Sequence, residues 1–526
     1  MKRVILAAVI VALAAVSLPL STLAYHHVGR TMVRAGAHVP AKPYYLCLIV
    51  LDGARPGYLK TPNIPHVQAL MAHGTQFTKA WTGILESETP SGHAAISTGS
   101  EPRRDGISSF GWVTANDVSV NLFDPAKIRA GAMEKVMLMA GVPTIAGLVH
   151  RQNPAAKVVA LSGYKYYAAD ALGGPRADVI MYYASRPGGA LVPTFIPGHI
   201  PPPEVLTAPN LQGKDVQPLG MGDREAINLA AATFDRMHQQ VTLINLPEFD
   251  WPLGHLWGAS LAPHAVTSLM QSFDQDLGVL EDTYRRAHVL KRTIFVLTAD
   301  HGFSPIYRAV PEKEIRDAVM AAGTGIIRDT YHTGAYLWLH DRSRAAAAAR
   351  IIGRLHIPYI QSVYYKELVK GRYQYVNAGA RFLTSGVAAA NQYLLHTFLG
   401  PNGPDLAVLF TQGAVGSTNA QSTWKGDHGG ADWQSQHIPL VIAGPGFRRN
   451  YVSKYPARLI DIAPTVLSMM DVPHNRMQGL ALADAMKTPA ATEVSAQRSM
   501  GLILTPLVSA LERESRLETA ARERGR

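Results

Sequence analysis

Thr89 opens the stretch Glu88-Thr89-Pro90-Ser91-Gly92-His93-Ala94-Ala95-Ile96-Ser97-Thr98-Gly99, where a short apolar run starts a helix. Pro90, directly behind it, suits the first helical position. A helix N-terminus presents free N–H groups and a partial positive charge, so an anion can rest there. A threonine hydroxyl becomes a good nucleophile at neutral pH only when something takes its proton. Metal ions would do this, and the chain offers Asp52, Asp250, His255, Asp300, His301 and His428 to hold them, with Thr89 as a seventh donor. Dications such as zinc take carboxylate oxygen and imidazole nitrogen. A lone Asp after a strand is usually a turn former or a cap. Asp300-His301 ahead of Gly302 is a stronger signal, and the whole ordered set is specific.

Most of these residues need strands behind them. Tyr44–Leu51 is a continuous apolar run that ends at Asp52. Val241–Leu246 precedes Asp250, and Thr293–Leu297 precedes Asp300-His301. Further strands are expected at Thr75–Ala80, Lys157–Leu161 and Asp178–Tyr183, with helices after Thr61-Pro62-Asn63, at 142–151, at Asp223–His238 and at 262–287. Such alternation predicts an α/β fold with a central, mainly parallel sheet flanked by helices. Working residues in such sheets lie past the carboxyl ends of strands. Residues 304–425 carry separate signals: helix 311–322, strand 334–340, helix 343–354, strands 358–365 and 405–410. They predict an inserted cap lobe, leaving 43–303 and 426–475 as the catalytic core. The tail 476–526 is expected to be helical, and its apolar front at 501–511 is too short to span a bilayer.

Of 526 residues, 47% are hydrophobic and 17% charged, which excludes a disordered chain. The formal charge of +11 fits a small anionic substrate or an anionic surface, after the plainer reading of a solvated basic face. The excess is scattered arginine, and no basic run interleaved with aromatics marks a nucleic-acid-binding motif. Lys2 and Arg3 precede an apolar run from Val4 to about Leu20, then Thr22-Leu23-Ala24. Residues 1–24 are expected to be a signal peptide or an N-terminal membrane anchor, and 25–42 a linker. The protein would then be periplasmic, secreted or tethered outside the cytoplasmic membrane. Cys47 is the one cysteine and lies in an apolar strand, so no intrachain disulfide can form.

The ordered series Leu51-Asp52-Gly53-Ala54-Arg55-Pro56, Thr61-Pro62-Asn63, Glu88-Thr89-Pro90-Ser91-Gly92-His93, Thr298-Ala299-Asp300-His301-Gly302, Gly426-Asp427-His428-Gly429 and Asp461-Ile462-Ala463-Pro464-Thr465 resembles the alkaline phosphatase superfamily. Within it, the chain looks like the type I phosphodiesterase/nucleotide pyrophosphatase group and the related alkaline phosphatases with a threonine nucleophile. The resemblance covers roughly residues 43–110, 241–303 and 425–472. It implies two zinc ions, one on Asp250, His255 and His428, the other on Asp52, Asp300, His301 and the Thr89 oxygen. It also implies a phospho-Thr89 intermediate. The expected activity is cleavage of phosphodiesters or nucleotide pyrophosphates. Phosphomonoester hydrolysis with Lys165 as phosphate contact is the alternative, and a metal-binding pseudoenzyme is a third reading.

Three departures from the family pattern stand out. The Asp250-to-His255 spacing has one residue extra, which makes Glu248 a rival ligand. Phe110 stands where an Asn is expected to touch a phosphoryl oxygen. Lys165, in Tyr164-Lys165-Tyr166-Tyr167, has no Arg partner, so a surface position is its first reading and a phosphate contact its second. The aromatic run including Tyr166 suits an organic group on the substrate. His93 is expected to hold a hydrogen bond instead of a metal, Asp427 to orient the His428 ring, and His437 to face solvent or support the site.

Overall fold

A computed structural model describes residues 44–185, 191–207, 220–380 and 383–524. The expected signal or anchor segment 1–24 and linker 25–42 lie outside the described residues. In chain order the strands are β1 (Tyr45–Leu51), β2 (Gly74–Gln76), β3 (Val158–Ser162), β4 (Val179–Ser185), β5 (Leu191–Phe195), β6 (Val241–Leu246) and β7 (Thr293–Thr298). The insertion adds β8 (Ile326–Tyr331), β9 (Gly334–Leu339), β10 (Ile360–Val369), β11 (Arg372–Ala380) and β12 (Leu406–Phe410), and β13 (Leu440–Ala443) and β14 (Tyr451–Val452) follow. Among the described residues the main sheet has nine strands in the order β14-β2-β13-β7-β1-β6-β3-β4-β5.

The block β7-β1-β6-β3-β4 is parallel throughout. β13 runs antiparallel beside β7, and β5 closes the other edge antiparallel to β4. The parallel block is where the apolar runs are continuous, because helices cover both faces there. Register does the positioning. Val50 pairs with Thr298 on one side and Asn245 on the other, so β7, β1 and β6 end level. The segments that follow them therefore emerge at one edge.

Helices α1 (Pro65–His73), α2 (Thr89–Thr98), α3 (Tyr166–Gly173), α4 (Met221–Met237) and α5 (Pro263–Arg286) belong to the first part of the chain. Thr61-Pro62-Asn63 does not cap α1 as expected. Pro65 takes the first position, and the Val67 N–H is satisfied at 2.8 Å by Asp274 of α5. The cap is supplied across the fold, so no local pattern announces it. The expected strand at Thr75–Ala80 splits into Gly74–Gln76 and a two-residue strand, Ala80–Trp81.

The insertion holds α6 (Glu312–Ala321), α7 (Ala345–Arg354) and α8 (Ser385–Thr397), and its strands form an antiparallel sheet in the order β8-β9-β12-β10-β11. Val310, Leu337, Leu339, Ile352, Val408 and Phe410 belong to a separate apolar cluster. Its edge strands β8 and β11 mix polar and apolar residues, and half-exposed edges blur the strand signal in the sequence. The helix α9 (Ala491–Arg524) packs on α8 through a buried face with Leu504, Leu507, Val508 and Leu511. Among the described residues no single helix is long and apolar enough to cross a membrane.

Candidate active site

Asp52 and Asp300 follow the level ends of β1 and β7. Gly53 takes φ +70°, and its N–H donates to Asp300 Oδ1 at 3.0 Å. A Cβ there would lie 2.9 Å from the Phe303 ring. The His301 N–H donates to the same oxygen at 3.1 Å. Asp300 Oδ2 faces His93 Nδ1 at 3.2 Å and His301 Nε2 at 3.4 Å. Asp52 Oδ2 accepts from Asn245 Nδ2 at 2.8 Å, and its Oδ1 lies 3.4 Å from His301 Nε2. Asn245 is a polar interruption near the end of the apolar strand β6, a signal that the sequence reading missed.

Helix α2, which Thr89 opens, lies directly on this cluster. A Cβ on Gly92 would come 2.5 Å from the Asp300 carbonyl oxygen, so only glycine allows that approach. Thr89 is the first residue of α2 and Pro90 the second, one position later than the sequence suggests. Glu88 caps the helix in a reciprocal box with Ser91, which is why the helix boundary shifts. Thr89 is buried.

Asp250, His255 and His428 form the second cluster. A turn at Pro247–Phe249 follows β6, and the His255 N–H closes onto the Asp250 carbonyl at 2.9 Å. That turn absorbs the extra residue. Asp250 Oδ1 lies 3.3 Å from His255 Nε2 and 3.6 Å from His428 Nε2. Glu248 is not the substitute that the spacing suggested. Its carboxylate accepts the N–H groups of Gly220, Gly222 and Asp223 at the start of α4. Asp427 holds the His428 backbone N–H at 2.9 Å, not its ring. His437 donates to the Thr78 carbonyl and stacks on Trp433.

These residues fit metal ions. His255, His301 and His428 each donate Nδ1–H to a backbone carbonyl, those of Gly426, Gly302 and Ser87. The Nε2 lone pairs are thereby turned inward, as in metal-binding histidines. Asp250 Oδ1 and His301 Nε2 are buried without a hydrogen-bond partner, while Asp52 Oδ1 meets Lys165 Nζ at 3.0 Å and Asp300 Oδ2 meets His93 Nδ1 at 3.2 Å. An unpartnered buried polar group costs about 1–3 kcal/mol, and a dication would satisfy several of these atoms at once. Donor atoms of Asp250, His255 and His428 lie within 4.8 Å of one another, as do those of Asp52, Asp250 and His301. Asp52, His93 and Asp300 also group in this way. His93, however, donates to the Thr89 carbonyl at 2.7 Å and accepts from Asn245 at 3.0 Å, so both its nitrogens are engaged. Burial, then the neighbouring His301, holds His428 well below the usual imidazole range. Burial opposes ionisation of Asp300, but His301 and His93 outweigh it and hold the carboxyl below its ordinary range.

A family model for type I phosphodiesterase / nucleotide pyrophosphatase matches residues 46–431. The chain belongs to that family. Its place is in the alkaline phosphatase superfamily, and by family it is a metal-dependent enzyme acting on phosphoester bonds. Alkaline phosphatase PhoK of a Sphingomonas species is 31% identical over 129 residues, and the match spans 23% of each chain. Wild-type alkaline phosphatase PafA superposes with a TM-score of 0.66 at 15% identity, covering 85% of this chain and 100% of that one. Human ectonucleotide pyrophosphatase/phosphodiesterase 5 gives 0.59 at 15% identity, with 85% and 100% covered. At such identities these structures show the shared alkaline-phosphatase-like fold.

Lys165 corrects the surface reading. It is buried, and its Nζ lies 2.5 Å from Asp250 Oδ2, 3.0 Å from Asp52 Oδ1 and 3.4 Å from Thr89 Oγ1. It caps α3 just past the end of β3, beside β6, so the sheet carries it into the site. Burial opposes its charge, but Asp250 and Asp52 raise the ammonium well above its ordinary range. Phe110 stacks on Phe123 at 3.9 Å and meets Tyr167 edge-on at 4.8 Å. The Tyr166 hydroxyl donates to the Phe123 carbonyl at 2.7 Å, which closes an aromatic wall. His332 had no sequence signal. It comes from the β8–β9 turn of the insertion and lies 3.3 Å from Glu88 and 3.2 Å from Asp427. Burial opposes its charge, but Glu88 and Asp427 raise it to about 10.

Proposed function

We propose that this family member is an exported two-metal hydrolase that cleaves phosphodiesters or nucleotide pyrophosphates through phospho-Thr89. Asp52, Asp300, His301 and Thr89 would hold one zinc ion, and Asp250, His255 and His428 the other. When bound, such ions acidify the Thr89 hydroxyl and neutralise charge on the phosphoryl group and the departing oxygen. The chain supplies the positioning. Glu88 and Ser91 fix the first turn of α2, and its positive end favours an anionic group beside Thr89. The Thr89 oxygen attacks phosphorus in line with the departing ester oxygen, and water then cleaves the Thr89 phosphoester. Lys165, 3.4 Å from Thr89 Oγ1, is placed to meet a phosphoryl oxygen.

The observation that carries the diester reading is the wall of Phe110, Phe123 and Tyr167 near Lys165. One buried cation beside an apolar wall suits a singly charged phosphate that keeps an organic ester group. A dianionic monoester asks for more polar partners. Lys165 itself favours the second reading, an alkaline phosphomonoesterase. Comparing kcat/KM for an aryl phosphodiester and the matching aryl monoester on the zinc-loaded protein tests both. A diester preference of about tenfold, ~1.4 kcal/mol in transition-state binding, is expected. A monoester preference of that size would assign the site to phosphatase chemistry. Export rests on residues 1–24 and is tested by sequencing the N-terminus of the mature protein.

A further inference from the structure

Trp251 and Trp424 stand beside the Asp250–His255–His428 cluster and have no part in the chemistry above. Trp251 directly follows Asp250, and Trp424 lies just ahead of Gly426-Asp427-His428. The Trp424 ring centroid is 4.0 Å from that of His255, and Trp251 is 5.9 Å from the same imidazole. The indoles are 6.3 Å apart and meet edge to face at 69°. Both remain partly open to solvent, Trp251 at 39%. Their backbones are anchored: Tyr164 donates its hydroxyl to the Trp251 carbonyl, and the Trp424 N–H donates to Ser422 Oγ at 3.1 Å. Two anchored, half-open indoles on one buried imidazole offer a large apolar surface at low entropic cost.

Position says what would cover them. The start of α2 packs on the Asp52–Asp300 half: Ser87 Oγ donates to the Asp300 carbonyl at 2.9 Å, and His93 donates to the Thr89 carbonyl and faces Asp300, so the proposed Thr89 nucleophile approaches from that side. In an in-line displacement the nucleophile and the departing oxygen lie on opposite sides of phosphorus. The departing group is therefore directed to the Asp250–His255–His428 half, where the indoles stand. The wall of Phe110, Phe123 and Tyr167 is built from other segments of the chain and lies near Lys165.

We infer that Trp251 and Trp424 form a subsite for the departing group of the phosphoester, suited to an aromatic or heteroaromatic ring. The inference rests on phosphoester cleavage at Thr89, as proposed above, but not on the choice between diester and monoester. Indole contacts favour a planar ring over an alkyl group of equal acidity, and so they act on which substrate is cleaved.

Methyl 4-chlorophenyl phosphate and methyl hexafluoroisopropyl phosphate test this, because their departing alcohols are of similar acidity and only one is planar. Trp424→Ala is expected to lower kcat/KM for the aryl ester about five- to tenfold and for the fluoroalkyl ester less than about twofold. Trp424→Phe should restore most of the aryl preference. In a Thr89→Ala background, 4-chlorophenyl methylphosphonate should quench tryptophan fluorescence, and Trp424→Ala should remove that quench. An equal loss on both esters would mean that the indole only packs on His255 and would overturn the subsite. So would no loss on either. If the wild type cleaves neither diester, the same comparison is made with the matching monoesters, 4-chlorophenyl phosphate and hexafluoroisopropyl phosphate; if it cleaves none of the four, the phosphoester reading fails first and the subsite with it. If it cleaves either pair and the variants show no aryl selectivity, the subsite alone fails.

Discussion

Asp52 and Asp300 leave neighbouring parallel strands that end in register, whereas Asp250, His255 and His428 come from a turn, a loop and the segment after a long insertion. The first half is held by the sheet and by two backbone N–H groups on Asp300. The second half is held by contacts between loops: His255 to Gly426, His428 to Ser87, and the Thr333 N–H to the His428 carbonyl at 3.1 Å. The same donor types thus sit on supports of different stiffness. A sheet fixes a carboxylate through backbone hydrogen bonds made far from the site. A loop must be clamped at each ligand, and here part of the clamp is the inserted lobe.

The comparison can be broken at several points. Thr89→Ala removes the group both halves serve. Its kcat is expected to fall about 10³-fold or more with the thermal midpoint unchanged, and wild-type turnover would remove Thr89 as nucleophile. Asp300→Ala and His255→Ala should each lose about one bound metal equivalent by elemental analysis. Asp300→Ala should also destabilise the apoprotein by about 2–5 kcal/mol, because the Gly53 and His301 N–H groups lose their acceptor. His255→Ala should cost the apoprotein clearly less, and equal costs in denaturant titrations would erase the distinction between sheet-held and loop-held ligands.

Gly92→Ala sharpens the first half. A methyl 2.5 Å from the Asp300 carbonyl must push α2 away from Asp300. The expected cost is about 1–3 kcal/mol in stability, with kcat falling more than KM rises. A pH-dependent effect concerns the seam with the lobe. Glu86 accepts from Thr330 of β8 at 2.8 Å, and burial, then Glu88, pushes its carboxyl up to about 8. An acid whose folded pKa is raised binds its proton more tightly when folded. Stability therefore declines as pH rises from the unfolded value, 4.5, to about 8. Glu86→Gln should flatten that decline in urea titrations across the window, and an unchanged slope would show that Glu86 does not carry it.

Legibility followed the same division. The apolar runs ending at Asp52 and Asp300 were plain because a strand buried on both faces needs uninterrupted apolar residues. Gly53 and Gly92 lay within the recognised stretches, yet their close approach to neighbouring atoms is a tertiary fact. Spacing alone leaves Glu248 and Asp250 as rivals, since one extra residue can be taken up by a turn in either direction. Lys165 resembled a surface lysine because nothing in Tyr164-Lys165-Tyr166-Tyr167 records two carboxylates waiting across the sheet. The cap on α1 from Asp274 and the contact of His332 with Glu88 were invisible for the same reason: their partners are more than 200 residues away.

The sequence by itself determined the α/β class, the strand ends that carry Asp52 and Asp300, the threonine at the start of α2, and the set of oxygen and imidazole donors. Those follow from local periodicity and residue chemistry. Only the tertiary structure decided that Lys165 enters the site, that Glu248 leaves it, that Phe110 joins an aromatic wall, and that the inserted lobe clamps the His428 loop. Each of those depends on which distant segments meet, and that is set by sheet register and packing, not by any neighbour along the chain.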